Sequence, residues 1–264
     1  MLLISTLLAV LLYLVAATLQ WTVLKGNKRT SGFAVRAVAT TAVVLHTFSI
    51  YHTLHQPNGI NLGFFAAGSL IAWLVAVIVT LSSLRQKIDN LFIGVLPMAA
   101  LAAGLAVWGP ELGEPHLYRG GLIFHILLSI LAYSMFTVAT FQAILLSRQD
   151  QALKQHHTRG LVASLPPLQT MERLLFEMLW IAMGLLSASL ITGFLFVDDL
   201  LAQHLVHKTA LSIIAWLLYA LLLWGRLMRG WRSQRAVRWT ISGFVILMLG
   251  FFGSKLVIDL IYGG

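Results

Sequence analysis

RGGLIFHILLSILAYSMFTVATFQAILLSR, residues 119–148, has an arginine at each end and no Asp, Glu, Lys or Arg between them. A run of this kind exceeds the ~20 apolar residues an α-helix needs to cross a bilayer, and no proline interrupts it. It predicts a transmembrane helix over 121–147. Seven similar stretches flank it, at 1–24, 37–57, 60–84, 91–109, 174–196, 209–228 and 239–262. Hydrophobic residues make up 59% of the 264-residue chain and charged residues 10%, a balance foreign to water-soluble domains. No extramembrane segment is long enough to bury a core of its own. The fold class is therefore all-α: a polytopic transmembrane helical bundle of eight spans, read as a single domain over 1–264.

The charges fix an orientation. Lys25, Lys28, Arg29 and Arg36 follow the first span, Arg85 and Lys87 the third, Arg148, Lys154, Arg159 and Arg173 the fifth, and Arg226, Arg229, Arg232, Arg235 and Arg238 the seventh. The alternate gaps hold only Arg119, Lys208 and Lys255. Because basic loops stay in the cytoplasm, both termini are expected outside. The net charge of +9 is confined to short juxtamembrane loops, where topology and anionic headgroups account for it without nucleic acid. The first span lacks a basic residue before it and has a cluster after it, the reverse of a secretory signal, so it is expected to be retained.

With no cysteine, the chain has no thiolate metal site, disulfide or thiol exchange of its own. No internal repeat is evident, which argues against a transporter built from repeated halves. Small residues at four-residue spacing, Ala99 with Ala103 and Ala100 with Gly104, mark a packing face on the fourth span, and Gly243 and Gly250 mark one on the last. Pro97 is expected to kink the fourth span.

Seven of the nine histidines fall on or toward the side that lacks basic residues. In the fifth span, His125, Ser129, Tyr133, Thr137 and Thr140 form one polar stripe, which should look into the bundle because polar groups facing lipid are costly. His46, with Ser49 and Thr53 on its face, lies near the middle of the second span. Between the sixth and seventh spans, Asp198 or Asp199 is expected to cap a short amphipathic helix carrying His204 and His207. His52 and His55 stand three apart but have no third metal ligand fixed beside them.

These residue types suit heme. Its iron takes neutral imidazole, its ring needs apolar walls, and its propionates need cations at the water edge. Lys208 directly follows His207, and Arg119 precedes His125 by six residues. Nothing forms a hydrolytic triad or a phosphate-cradling loop, so no bond chemistry by the chain's own side chains is expected.

Gly121-Leu-Ile-Phe-His125-Ile-Leu-Leu-Ser129-Ile-Leu-Ala-Tyr133 resembles the histidine-bearing span of the cytochrome c assembly protein family, the CcsA, ResC and HemX proteins. Thr192-Gly-Phe-Leu-Phe-Val-Asp-Asp199 and the run from His207 to Arg226 are similar to that family's outer loop and following span. With Pro166-Pro-Leu-Gln-Thr-Met-Glu-Arg173, Gly230-Trp-Arg232 and Gly253-Ser-Lys255, the chain looks most like the short YpjD branch. It departs from CcsA in lacking the tryptophan-rich outer segment, and a ligating histidine at the last outer end is replaced by a segment whose polar side chains are Asp259 and Tyr262. The resemblance implies a multi-pass protein of the bacterial inner membrane that holds or delivers heme at the outer side during cytochrome c-type biogenesis. His125 would be the axial ligand, His207 or His46 its partner, and Lys208 and Arg119 would sit near the propionates. Partners would be heme, the lipid bilayer and other cytochrome assembly or membrane proteins. Two other readings stay open: a non-heme accessory or regulatory subunit, and a small-solute transporter using the His46 and Tyr133 stripe.

Reporter fusions test the orientation. A periplasm-active phosphatase should be inactive when fused after Arg232 and active when fused after Gly113. The opposite pattern would reverse the topology.

Overall fold

The structure is a computed structural model describing residues 1–26, 30–86, 88–110, 115–156, 165–197 and 203–253, with the backbone alone for 203–205. Eight helices are long and apolar enough to cross a membrane. They are α1 (Leu2–Leu24), α2 (Gly32–Leu54), α3 (Phe64–Ser83), α4 (Phe92–Trp108), α5 (Gly120–Lys154), α6 (Leu168–Phe196), α7 (Gln203–Arg229) and α8 (Ser233–Met248). A 3₁₀ turn, Asp89–Leu91, leads into α4, and a π turn, Leu249–Gly253, continues α8. The protein is thus an eight-span, multi-pass membrane protein.

The chain divides into two compact units, Met1–His116 with Gln151–Pro167, and Leu117–Asp150 with Leu168–Gly264. In the first, α1 packs on α2 and α4, and α3 packs on α4 and α2. Small residues allow this closeness: Ala9, Ala16, Ala39, Ala42, Ala99 and Ala103 are fully buried. The opposite side of α1 exposes Leu3, Ile4, Leu7, Leu8 and Leu11, as a lipid-facing surface requires. The α4 helix stays continuous through Pro97. At one end of this unit a short hairpin pairs β1 (His55–Gln56) with β2 (Gly59–Ile60), and Ile60 also bridges His116. At the other end Arg36 donates from Nε to Asp89 at 3.0 Å.

The second unit is organised at its basic end by a buried carboxylate. Glu172 of α6, only 4% exposed, accepts from Arg226 of α7 at 2.5 Å and from Arg232 at 3.3 Å. Arg226 also donates to the Trp231 carbonyl and lies over the Phe176 ring. These bonds tie the α7–α8 turn to α6. Gly230 supplies the positive φ of 63° that turn needs. Gln234 of α8 donates to Asp150 of α5 at 2.9 Å and accepts from Ser147. Arginines expected to report topology therefore also lock helices together.

Several helix boundaries differ from the hydropathy reading. The α5 and α6 helices run beyond the apolar stretches, to Lys154 and back to Leu168, because backbone hydrogen bonding continues after the first charged residue. From Gln203 the chain is already in α7, which runs unbroken to Arg229, so His207 stands in the first turns of a spanning helix rather than on a separate amphipathic one. No glycine or proline between 203 and 224 would interrupt it. The expected cap at Asp198 or Asp199 lies outside the described residues.

Removing Glu172 leaves two arginines without their partner. Glu172→Ala should cost about 2 kcal/mol, less than a fully buried pair because Arg226 keeps some access to water. Thermal unfolding in mild detergent should show a lowered midpoint, with a smaller loss for Glu172→Gln. An unchanged midpoint for Glu172→Ala would contradict this role.

Candidate functional site

His125 is placed by close contact between α5 and α6 in the second unit. Glycine permits the approach at two points: a Cβ on Gly193 would lie 3.1 Å from His125 Cε1, and one on Gly121 would lie 2.5 Å from the Phe196 ring. Ser189, Thr192 and Gly193, at helical spacing on α6, all meet the His125 region. Ser129, one turn along α5, bonds Ser189 Oγ at 2.7 Å and donates to the His125 carbonyl.

The hydrogen bonds fix the state of the imidazole. His125 Nδ1 lies 2.9 Å from the Ser189 carbonyl oxygen and 3.3 Å from Thr192 Oγ1. A carbonyl oxygen can only accept, so the proton sits on Nδ1. Nε2 then carries the lone pair, and among the described residues it has no hydrogen-bond partner. A histidine tied through Nδ1 to a carbonyl, with Nε2 open, is the arrangement metal-ligating imidazoles use, because the tie orients the ring and raises its basicity. The donor therefore fits an axial position on heme iron.

Lys208 of α7 has its ammonium 4.8 Å from the Phe251 ring centroid. Arg119 is exposed immediately before α5, and its carbonyl accepts from the Ile123 N–H. His207 is exposed near the start of α7. His204 occupies the position one turn before Lys208 on that helix, and its side chain lies outside the described set.

His46 belongs to the first unit and is differently placed. It is fully buried, with Nδ1 3.2 Å from Tyr13 Oη and Nε2 2.9 Å from Ser69 Oγ. Both ring nitrogens are engaged, and Thr6 bonds Ser49 at 2.6 Å beside them. His46 thus joins α1, α2 and α3 through hydroxyls, and an axial role would require breaking one of these bonds.

His52 and His55 are exposed at the C-terminal end of α2, where Tyr51 stacks on His55 with centroids 4.5 Å apart. Among the described residues no three His, Asp or Glu side chains converge in a way that could hold a metal ion. Ser189, Thr192 and Gly193 were not singled out from the sequence as a support for His125. The signal was two hydroxyls and a glycine at spacings of three and four in an otherwise apolar span.

Comparison with known proteins adds a second line. The family described as Cytochrome C assembly protein matches residues 34–261. Inner membrane protein YpjD of Escherichia coli strain K12 is 32% identical over 226 residues, 84% of this chain and 86% of that protein. An uncharacterized 28.8 kDa protein of Azospirillum brasilense is 26% identical over 200 residues, 73% of each chain. Protein HemX of Brevibacillus brevis is 23% identical over 134 residues, 50% of this chain and 49% of that one. No solved structure matches. With the family matching from the second span to the last, and a relative at 32% identity along most of both chains, the chain belongs to the cytochrome c assembly protein family.

Proposed function

We propose that this inner-membrane protein holds heme toward the outer face of the membrane during cytochrome c-type biogenesis. The observation that carries this reading is His125, whose Nδ1–H is tied to the Ser189 carbonyl so that Nε2 is left as a lone-pair donor. Family membership supports the cofactor class, and the similarity to inner membrane protein YpjD supports the membrane. Both termini lie outside in this reading, which puts the His125 end of α5 on the side poor in basic residues.

A bound heme supplies the iron and two propionates; the chain supplies the pocket and performs no bond chemistry. His125 Nε2 would hold the iron. His207 would be the second ligand, favoured over His46 because the His46 ring nitrogens are already bonded to Tyr13 and Ser69. Lys208 and Arg119 would supply the cations for the propionates. Gly193 keeps the α6 backbone against the imidazole, and Ser129 and Thr192 hold that contact in register. Other assembly proteins of the membrane receive or supply the heme.

An absorption spectrum of the purified protein tests the proposal. Wild type should show a Soret band and, on reduction, low-spin α and β bands; their absence from heme-loaded protein would sink the reading in favour of a non-heme accessory subunit or a solute transporter. His125→Ala should abolish or shift the spectrum, and His156→Ala, on the basic side, should leave it unchanged. His207→Ala should give a partial loss that added imidazole restores by filling the vacated position. Gly193→Val should shift the spectrum by displacing the His125 ring, whereas Gly184→Val, with open space beside it, should not.

Lys208→Glu places a carboxylate beside an anionic propionate in a poorly screened site. Heme retention should weaken about tenfold, equivalent to ~1.4 kcal/mol. Retention equal to wild type at matched expression would make Lys208 a headgroup anchor only.

A further inference from the structure

Tyr133 shares the α5 stripe with His125 but plays no part in the contacts around it. The residue is 7% exposed, and its buried hydroxyl has no hydrogen-bond partner among the described residues. The other two deeply buried tyrosines are paired, Tyr219 to the Thr240 carbonyl at 3.1 Å and Tyr13 to His46. Three phenylalanines surround the Tyr133 ring, with centroids at 5.3 Å for Phe251, 6.0 Å for Phe252 and 6.2 Å for Phe244. All three are half-buried. The π turn Leu249–Gly253 presents the consecutive Phe251 and Phe252 to the same neighbour, and such turns recur at functional sites.

The depth of this group limits what can bond to it. At 1.5 Å per residue, Tyr133 lies about 21 Å along α5 from Arg119 and about 22 Å from Arg148, close to the bilayer midplane. Glycerolipid ester carbonyls sit near the edge of the hydrocarbon core, about 15 Å away, and acyl chains carry no acceptor. Heme held by His125 does not answer the hydroxyl either. Its acceptors are the propionates, directed to the water edge, whereas Tyr133 is two turns, about 12 Å, further into the membrane.

Among the described residues the hydroxyl lacks an acceptor, and a flat, apolar molecule that dissolves in the middle of a bilayer, stacks against phenyl rings and carries a carbonyl would supply one. We infer that the Tyr133, Phe244, Phe251 and Phe252 group binds the head ring of a membrane quinone, with the Tyr133 O–H donating to a ring carbonyl oxygen and the prenyl tail lying in lipid. The inference does not depend on heme binding at His125.

The test uses the full chain in quinone-free phosphatidylcholine nanodiscs, titrated with short-tailed benzoquinone and naphthoquinone probes and read as bound quinone above lipid partitioning. Wild type should bind saturably. Tyr133→Phe, which keeps the ring and removes only the donor, should bind about tenfold more weakly, and His125→Ala should bind as wild type does. Phe251→Leu and Phe252→Leu provide independent variants in which loss of stacking should also weaken binding. As a check that needs no variant, quinone should raise the thermal midpoint of wild type, and a tail-matched alkylbenzene without carbonyls should not. Equal binding by wild type and Tyr133→Phe, no saturable binding by wild type, or equal protection by the alkylbenzene would each overturn the inference.

Discussion

Water is absent from the hydrocarbon core of a bilayer, so a polar side chain there must find its partner on another helix or on a ligand. This constraint organises both units. In the first, His46, Tyr13 and Ser69 satisfy one another across three helices, and Thr6 pairs with Ser49. In the second, Ser129 meets Ser189 and Tyr219 reaches the Thr240 carbonyl. Two of the groups left over stand on α5, two turns apart. His125 has one nitrogen tied and one open, and the Tyr133 hydroxyl is unanswered among the described residues.

The environments of His46, buried, and His125, half-buried, show how context divides one residue type into two roles. Hydroxyls can donate or accept, so His46 is satisfied at both nitrogens and acts as a structural knot. A backbone carbonyl accepts only, so His125 is forced into a single tautomer that presents Nε2. The carbonyl is available because α6 comes close enough at Gly193, and Gly121 permits the same closeness one turn from His125 on α5. Backbone approach, made possible by missing side chains, thus sets the chemistry of the imidazole.

Much of this was legible in the chain. Hydropathy and the gaps between charges located all eight helices, because both reflect the same solvent boundary. Helix ends were less readable: hydropathy stops at the first charge, while the backbone of α5 continues to Lys154 and that of α7 already includes Gln203. The stripe of His125, Ser129 and Tyr133 showed which face of α5 matters, but its partners on α6 required knowledge of which helices touch. Glu172 illustrates the same limit. A lone glutamate at the edge of a span looks like a solvated end until Arg226 and Arg232 are seen folded onto it from a turn more than fifty residues away.

The central claim is that His125 Nε2 is a ligand to heme iron. Pulsed electron paramagnetic resonance of ferric, heme-loaded protein carrying nitrogen-15 histidine measures this directly, because axial imidazole nitrogens couple to the iron spin. Wild type should show nitrogen-15 coupling at the iron, and His125→Gly should lose the contribution of one axial imidazole, with unlabelled imidazole replacing it by nitrogen-14 coupling. Full nitrogen-15 coupling retained in a folded His125→Gly protein would contradict the account.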